Sequence, residues 1–553
     1  MHRSEKLALS SLFRTKSETL PWHDRIVLSY ERAKAIAALY KLTVDDVVNV
    51  SAKYWEFHMD PIQMLDFAAA TLLTVHYNLC IGTIAMFPAG NQQVLQRLLS
   101  FELSGQFCLS ELGHGLDALQ IETTATLLDT GELELETPSD AAAKFMPPTT
   151  PCGIPCVAVV FARLIVDRMD RGIRPFLVPI HDGRTMYRGI VSRVLSPREG
   201  SHPVQHTLTY FHKVRLPGTA LLGDMTTSLD VKSAFSHNIF RTVVGTLSMG
   251  AFALSSMRIA SYVAGQYSRR RTVIHPSTGK PEAIIAFSTQ KLAVFTGIAQ
   301  SIVMTAFCNK AYSMFTSTED PRQKLFIAAV LKTTIVQHCS SLLSVLSDRC
   351  GAQGLFAANQ ISVMHADIRG AAIAEGDVLG ISIRFTFELI RGRVSPPAYL
   401  NPDHILAKHE KSVLAELRGI VGGRSEHHRG QEIESIILPR CQGLMEGLGH
   451  RLAVDAAIEA QVDPRIIDLY VASVIKHDSS WYTEHTNLSG STQRQMERSS
   501  VEALYPELES LLGKLDITNY AIAPIVSDEQ WTGYVNTLPM FTHSPFLDVQ
   551  SRL

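Results

Sequence analysis

Four stretches, residues 233–271, 288–315, 321–349 and 377–393, repeat apolar side chains every three to four positions over spans long enough for helices. Short Gly, Pro and Ser breaks separate them, which suits an antiparallel four-helix bundle. The most apolar parts are interrupted, 243–265 by Arg258 and 325–346 by Lys332, Gln337 and His338. They therefore read as buried helices and not as membrane spans. Upstream, SYERAKAIAALYKL and DPIQMLDFAAATLLTVHYNL carry the same spacing between about residues 21 and 103. Between the two helical regions the text changes. From about residue 105, Gly, Pro and Thr become frequent and short runs such as CVAVVFARLIV and RPFLVPI appear. Residues 207–216 alternate, with Leu208, Tyr210, His212 and Val214 on one face and Thr209, Phe211, Lys213 and Arg215 on the other. The expectation is a mainly α chain with a central β domain: an N-terminal helical domain (1–104), a middle β domain (105–226), a helical bundle (227–395) and, after SPPAYLNP, a C-terminal helical domain (396–553).

At 553 residues, with 46% hydrophobic and 19% charged residues, the chain can bury several units' worth of core. Lys and Arg number 51 against 53 Asp and Glu. That balance gives no overall electrostatic reason to expect nucleic acid as a partner, and an anionic ligand has to be met by a local basic cluster. Eight scattered cysteines form no disulfide framework. Cys152 and Cys156 lack a second Cys or His pair at zinc spacing, so they read as core thiols and no metal is expected. Strand–helix alternation and a GxGxxG turn are both missing, so any dinucleotide must bind without a Rossmann loop.

Several motifs stand in one order along the chain: HYNLCIGTI (76–84), SELGHGLDALQIETTAT (110–126), KFMPP (144–148), YFHKVRLPGTALLGD (210–224), QYSRRR (266–271), CGAQG (350–354) and AEGD (374–377). In wording and spacing this series resembles the peroxisomal acyl-CoA oxidases, over about residues 22–394. The resemblance implies an acyl-CoA dehydrogenase-like architecture with a β-barrel-like middle domain and a non-covalent FAD. It implies removal of two hydrogens from an acyl-CoA thioester to give the trans-2-enoyl-CoA, with O2 as electron acceptor and H2O2 as product, in fatty acid β-oxidation. Glu375, 25 residues after Cys350, falls at the position of the family's catalytic base. Leu109, Ser110, Gly115, Lys144, Phe145 and Met146 fall at its flavin-lining positions. Arg271 corresponds to the flavin-phosphate arginine. Gly354 corresponds to a glycine that lets the backbone approach the flavin of a partner subunit, which implies a homodimer. A dehydrogenase or biosynthetic desaturase with another electron acceptor, and a catalytically silent acyl-CoA-binding homologue, stay open.

The chemistry needs these residue types. Abstraction of a proton beside a thioester carbonyl requires a base in a dry site, and a carboxylate raised by burial suits that task. Outside the resemblance, Glu375 reads as an exposed acid in a helix's first turn and the Arg269–Arg271 run as a solvated basic face. The chain departs from the family's wording at Leu116, Phe145, Met146, Pro148, Ala374 and Val378, positions that imply an altered acyl pocket or flavin contact. Ser551-Arg552-Leu553 matches a peroxisomal import tripeptide, which implies an import receptor as partner and a peroxisomal location.

Overall fold

The computed structural model describes residues 2–226, 230–421 and 430–542. The chain opens with helices. α1 (Trp22–Tyr40) starts behind Pro21 and stops at Lys41, whose φ of 46° closes it in the left-handed region. α2 (Ala52–Met59) is capped by the Ser51 hydroxyl, which accepts from the Tyr54 N–H. α3 (Phe67–Ala85) is capped by Asp66 and contains a π-helical turn over Val75–Ile81. The Arg32 guanidinium pairs with the buried Asp66 carboxylate at 3.0 Å, so the α3 cap is also the tie to α1.

Strands occupy Ser104 to Leu216. β1 (Ser104–Cys108) lies against the π turn of α3, where a side chain at Gly105 would stand 2.6 Å from Cys80 Sγ. His76, in that turn, accepts from the Gly105 N–H through Nδ1 at 2.9 Å, so its Nε2 carries the proton donated to the Leu98 carbonyl. The strands β2 (Thr124–Leu127), β3 (Leu133–Glu136), β4 (Lys144–Phe145), β5 (Cys156–Val166), β6 (Met169–His181), β7 (Ile190–Val194), β8 (Thr207–Phe211) and β9 (Val214–Leu216) follow. In this region one sheet runs β1-β5-β2-β3-β9 with β6 paired to β5 and a second runs β4-β8-β7; a separate two-stranded ribbon, Thr272–Ile274 with Pro281–Ala283, follows later in the chain. Ala125, Leu135, Val160, Phe176, Val178 and Phe211 fill the space between the two sheets.

Residues 207–216 are therefore two strands in two sheets, not one alternating strand. Lys213 has φ 47°, and this break shifts the phase: Thr207, Thr209 and Phe211 point inward, then Val214 and Leu216.

The bundle is built on α4 (Arg241–Arg270), α5 (Ser288–Ser317) and α6 (Pro321–Arg349), joined by α7 (Ile361–Ile373) and α8 (Val378–Ile390). These helices and α3 include four windows apolar and long enough to cross a membrane, and in each at least 67% of that window is buried inside the protein. The segment 233–271 is broken at Ile239–Phe240, where a short helix, Val231–Asn238, ends with Asn238 donating to the Ile173 carbonyl of β6. α7 carries no expectation from the sequence, because its inward face includes the acid Asp367. That carboxylate accepts the Ser201 N–H from the β7–β8 loop at 2.5 Å and so clamps the β domain to the bundle. Beyond them, α10 (Cys441–Glu459) packs on α5 and α6, α11 (Pro464–Val474) and α12 (Gly490–Leu504) pack on α5, and α9 (Ile405–Val421) packs on α8 and α10. The observed architecture is mainly helical with a middle β domain.

Candidate active site

AEGD forms the turn between α7 and α8. Asp377 caps α8 by accepting the Gly380 N–H at 2.9 Å. Glu375 and Gly376 both have positive φ, 54° and 98°. A non-glycine residue held there signals a turn fixed by its surroundings, and the surroundings are on view. Lys332 of α6, fully buried, donates to the carbonyls of Ala374 and Gly376, each at 2.5 Å. Thr246 of α4 donates to the carbonyl of Glu375 itself at 2.6 Å.

Held this way, the Glu375 carboxyl points across α4 into the space over Gly245. A Cβ on Gly245 would lie 1.2 Å from Oε2, so only glycine leaves room for it. Asn78, from the π turn of α3, donates to Oε2 at 3.3 Å. Asn78 is itself gripped by Arg241: its amide donates to the Arg241 carbonyl at 3.0 Å, and its oxygen accepts from Arg241 Nη2 at 2.9 Å. The Arg241 guanidinium is buried, bonded also to the carbonyls of Asn78 and Val47, and lies where a side chain at Gly82 would be. Tyr54, fully buried, completes the polar floor; burial raises its hydroxyl to about 12.

Burial pushes the Glu375 carboxyl up to about 8, with Lys332 and Arg241 holding it back from going higher. Burial pulls the Lys332 ammonium down to about 8 in turn, opposed by Glu375 and Asp377. A carboxyl so placed exchanges a proton near neutral pH, as a general base must.

The other candidate residues gather in two further places. Leu109, Ser110, Lys144, Phe145 and Met146 form one cluster at the β1–β4 edge, where the Phe145 N–H donates to the Ser110 carbonyl at 3.0 Å. The Lys144 ammonium is buried and committed to Glu111 at 2.9 Å and to the carbonyls of Phe161 and Leu109, so this residue can meet a cofactor only through its main chain. Ser110 and Met146 are half-buried, Phe145 is 39% exposed, and Gly115 stands open beside Leu116, 84% exposed. Arg271 and Gly354 lie together at the far end of the bundle: Gln290 donates to both the Ser268 hydroxyl and the Arg349 carbonyl, tying the C-terminal ends of α4 and α6. Arg269 and Arg270 are paired with Glu509 and Asp528, while Arg271 is exposed with no ion pair among the described residues. Gly354 has its own reason for being glycine, since a Cβ would stand 2.1 Å from the Ser347 carbonyl oxygen. The tripeptide Ser551-Arg552-Leu553 lies outside the described residues.

Residues 243–384, the segment holding Gly245, Lys332 and Glu375, match the family model described as acyl-CoA oxidase, C-alpha1 domain. In this segment the chain is similar to the acyl-CoA oxidases. It is 24% identical over 352 residues to the peroxisomal acyl-coenzyme A oxidase 2 of Arabidopsis thaliana, covering 58% of this chain and 50% of that one. Against the human peroxisomal acyl-coenzyme A oxidase 3 it is 24% identical over 385 residues, 63% and 54%. The chain thus matches about half the length of these acyl-CoA oxidases. In fold the agreement is wider. The Caenorhabditis elegans acyl-CoA oxidase-1 crystallised with FAD and ATP superposes with a TM-score of 0.80 at 16% identity, covering 100% of this chain and 92% of the other. The Yarrowia lipolytica acyl-CoA oxidase 3 gives 0.80 at 18%, covering 98% and 90%.

Proposed function

We propose that the chain is an FAD-dependent acyl-CoA oxidase that converts an acyl-CoA thioester to the trans-2-enoyl-CoA, with O2 taking the electrons and H2O2 released. The observation that carries this reading is the half-buried Glu375, its carboxyl seated over Gly245, raised to about 8 and oriented by Asn78. In its ionised form Glu375 takes the proton from the carbon next to the thioester carbonyl. A flavin held beside it would supply the acceptor for the hydride leaving the neighbouring carbon. The half-buried Ser110 and Met146, the open Gly115 and the exposed Phe145 offer a polar and apolar edge that fits an isoalloxazine ring. The exposed Arg271, without an ion pair among the described residues, fits its pyrophosphate.

The placement of these groups supports a homodimer. α4 has 30 residues and is roughly 45 Å long; Glu375 lies near its first turn and Arg271 follows its last. One chain therefore presents the base and the phosphate-binding cation at opposite ends of a long helix, and two chains side by side bring one of each to a single cofactor. The names of the Arabidopsis and human relatives support a peroxisomal location, and Ser551-Arg552-Leu553 is the segment whose deletion tests it.

Glu375→Gln keeps the shape and removes the proton acceptor. The expected result is a yellow, FAD-loaded protein whose peroxide release from acyl-CoA falls by about 10²–10⁴-fold. Near-parental turnover in that variant removes Glu375 from the mechanism, and slow reoxidation of the reduced protein by O2 makes the enzyme a dehydrogenase.

A further inference from the structure

Lys332 is a charge inside an otherwise apolar run of α6, and it has no solvent exposure. Burying an ammonium costs several kcal/mol unless its donors are met. Two of its three donors are met by carbonyls two residues apart, Ala374 and Gly376. The carbonyl between them, that of Glu375, accepts from Thr246. Three consecutive carbonyls of a loop thus turn inward onto side chains of two bundle helices. That inward turn requires the backbone to pass through positive φ at Glu375 and Gly376, and it swings the Glu375 side chain to the α4 side, over Gly245.

We infer that Lys332, assisted by Thr246, is the positioning residue of the candidate base: it fixes the 374–376 turn through its carbonyls and supplies the positive charge that keeps the carboxyl able to ionise. This rests on the reading of Glu375 as the base. Both side chains act on the turn through main-chain oxygens, Lys332 on the carbonyls of Ala374 and Gly376 and Thr246 on that of Glu375. A residue that only stabilised the fold would alter melting and expression when replaced, without moving the titration of Glu375. A residue acting as inferred moves both the rate of proton abstraction and the pH at which it begins. The two contributions separate by residue, because Thr246 is neutral. Its removal loosens the turn and leaves the field at the carboxyl unchanged.

The test uses the full-length, FAD-loaded protein with acyl-CoA, measuring kcat, KM and the pH profile of kcat/KM for Lys332→Met, Lys332→Arg and Thr246→Val. For Lys332→Met the expected result is a fall in kcat of about 10- to 100-fold with KM changed far less. The acid limb of its profile should shift upward by about one pH unit as the nearby cation is lost. Lys332→Arg should restore the limb, and Thr246→Val should lower kcat without shifting it. A Lys332→Met protein with parental kcat and an unmoved limb overturns the inference. Should Lys332→Met not fold, a parental kcat in Thr246→Val overturns it equally. Glu375→Gln, run alongside, keeps the two readings apart. Turnover surviving in Glu375→Gln sinks the base itself, whereas a dead Glu375→Gln beside an unaffected Lys332→Met sinks only the role of Lys332.

Discussion

Gly245 is a residue whose missing side chain has been taken over by another residue. The Glu375 carboxylate stands where its Cβ would be, so Gly245→Ala should expel the carboxyl while leaving α4 a better helix former. Turnover is expected to fall by about 10²-fold or more, with a thermal midpoint close to the parent's; full activity in this variant means the carboxyl works from elsewhere. The titration of the same group gives a second expectation. Burial raises Glu375 to about 8, so at lower pH the carboxyl holds its proton and cannot accept another. kcat/KM should therefore climb with pH through an apparent pKa near 8, and a profile flat from pH 6 to 9 contradicts the assignment. Of this candidate site the resemblance pointed to Glu375, through AEGD and its interval from Cys350, but not to its setting. Asn78 lies within HYNLCIGTI and Lys332 within an apolar run, and neither setting marks a contact with Glu375. Their contacts with the 374–376 turn span 297 and 42 residues, separations on which no local period reports.

Elements were legible where periodicity alone decides them and illegible where a polar contact replaces an apolar one. The long helices α4, α5 and α6 followed from their spacing. α7 did not, because its buried face contains Asp367, whose burial is made tolerable by the Ser201 N–H from a distant loop. Burial raises that carboxyl to about 7. The β8–β9 passage failed for a different reason. Alternation assumes a constant phase, and the positive φ of Lys213 changes the phase between two strands that go to different sheets. The turn after α6 shows a further tertiary constraint at this scale. Gly354 packs on the Ser347 carbonyl, and the Ser347 hydroxyl donates back to the Gly354 carbonyl at 2.9 Å. Gly354→Ala must push the turn off the helix end, so a loss of about 1–3 kcal/mol of stability is expected. Calorimetry on the purified variant checks it, and an unchanged midpoint means the turn relaxes freely.

Across the whole molecule, the turn at Gly351–Leu355 ends in apolar side chains facing solvent: Leu355 is 77% exposed and Phe356 57%. Apolar groups presented beside the proposed phosphate-binding end suit a face covered by a second copy. Light scattering of the parent should give twice the 61.0 kDa chain mass. The double variant Leu355→Glu, Phe356→Glu should give the single mass and lose FAD on dilution; a parent monomer that keeps its FAD ends the proposal of a shared cofactor. The helical N-terminal unit reaches the same site through one irregular turn. Within Val75–Ile81 the π winding takes up an extra residue, and Asn78 is in the middle of it. Removing one residue from that turn would restore an ordinary helix and close the widened turn that carries Asn78. Asn78 could then no longer face Arg241 and Glu375 while Gly82 still made room for the guanidinium. The π turn of α3 is thus the device that carries Asn78 from the N-terminal helices to the site.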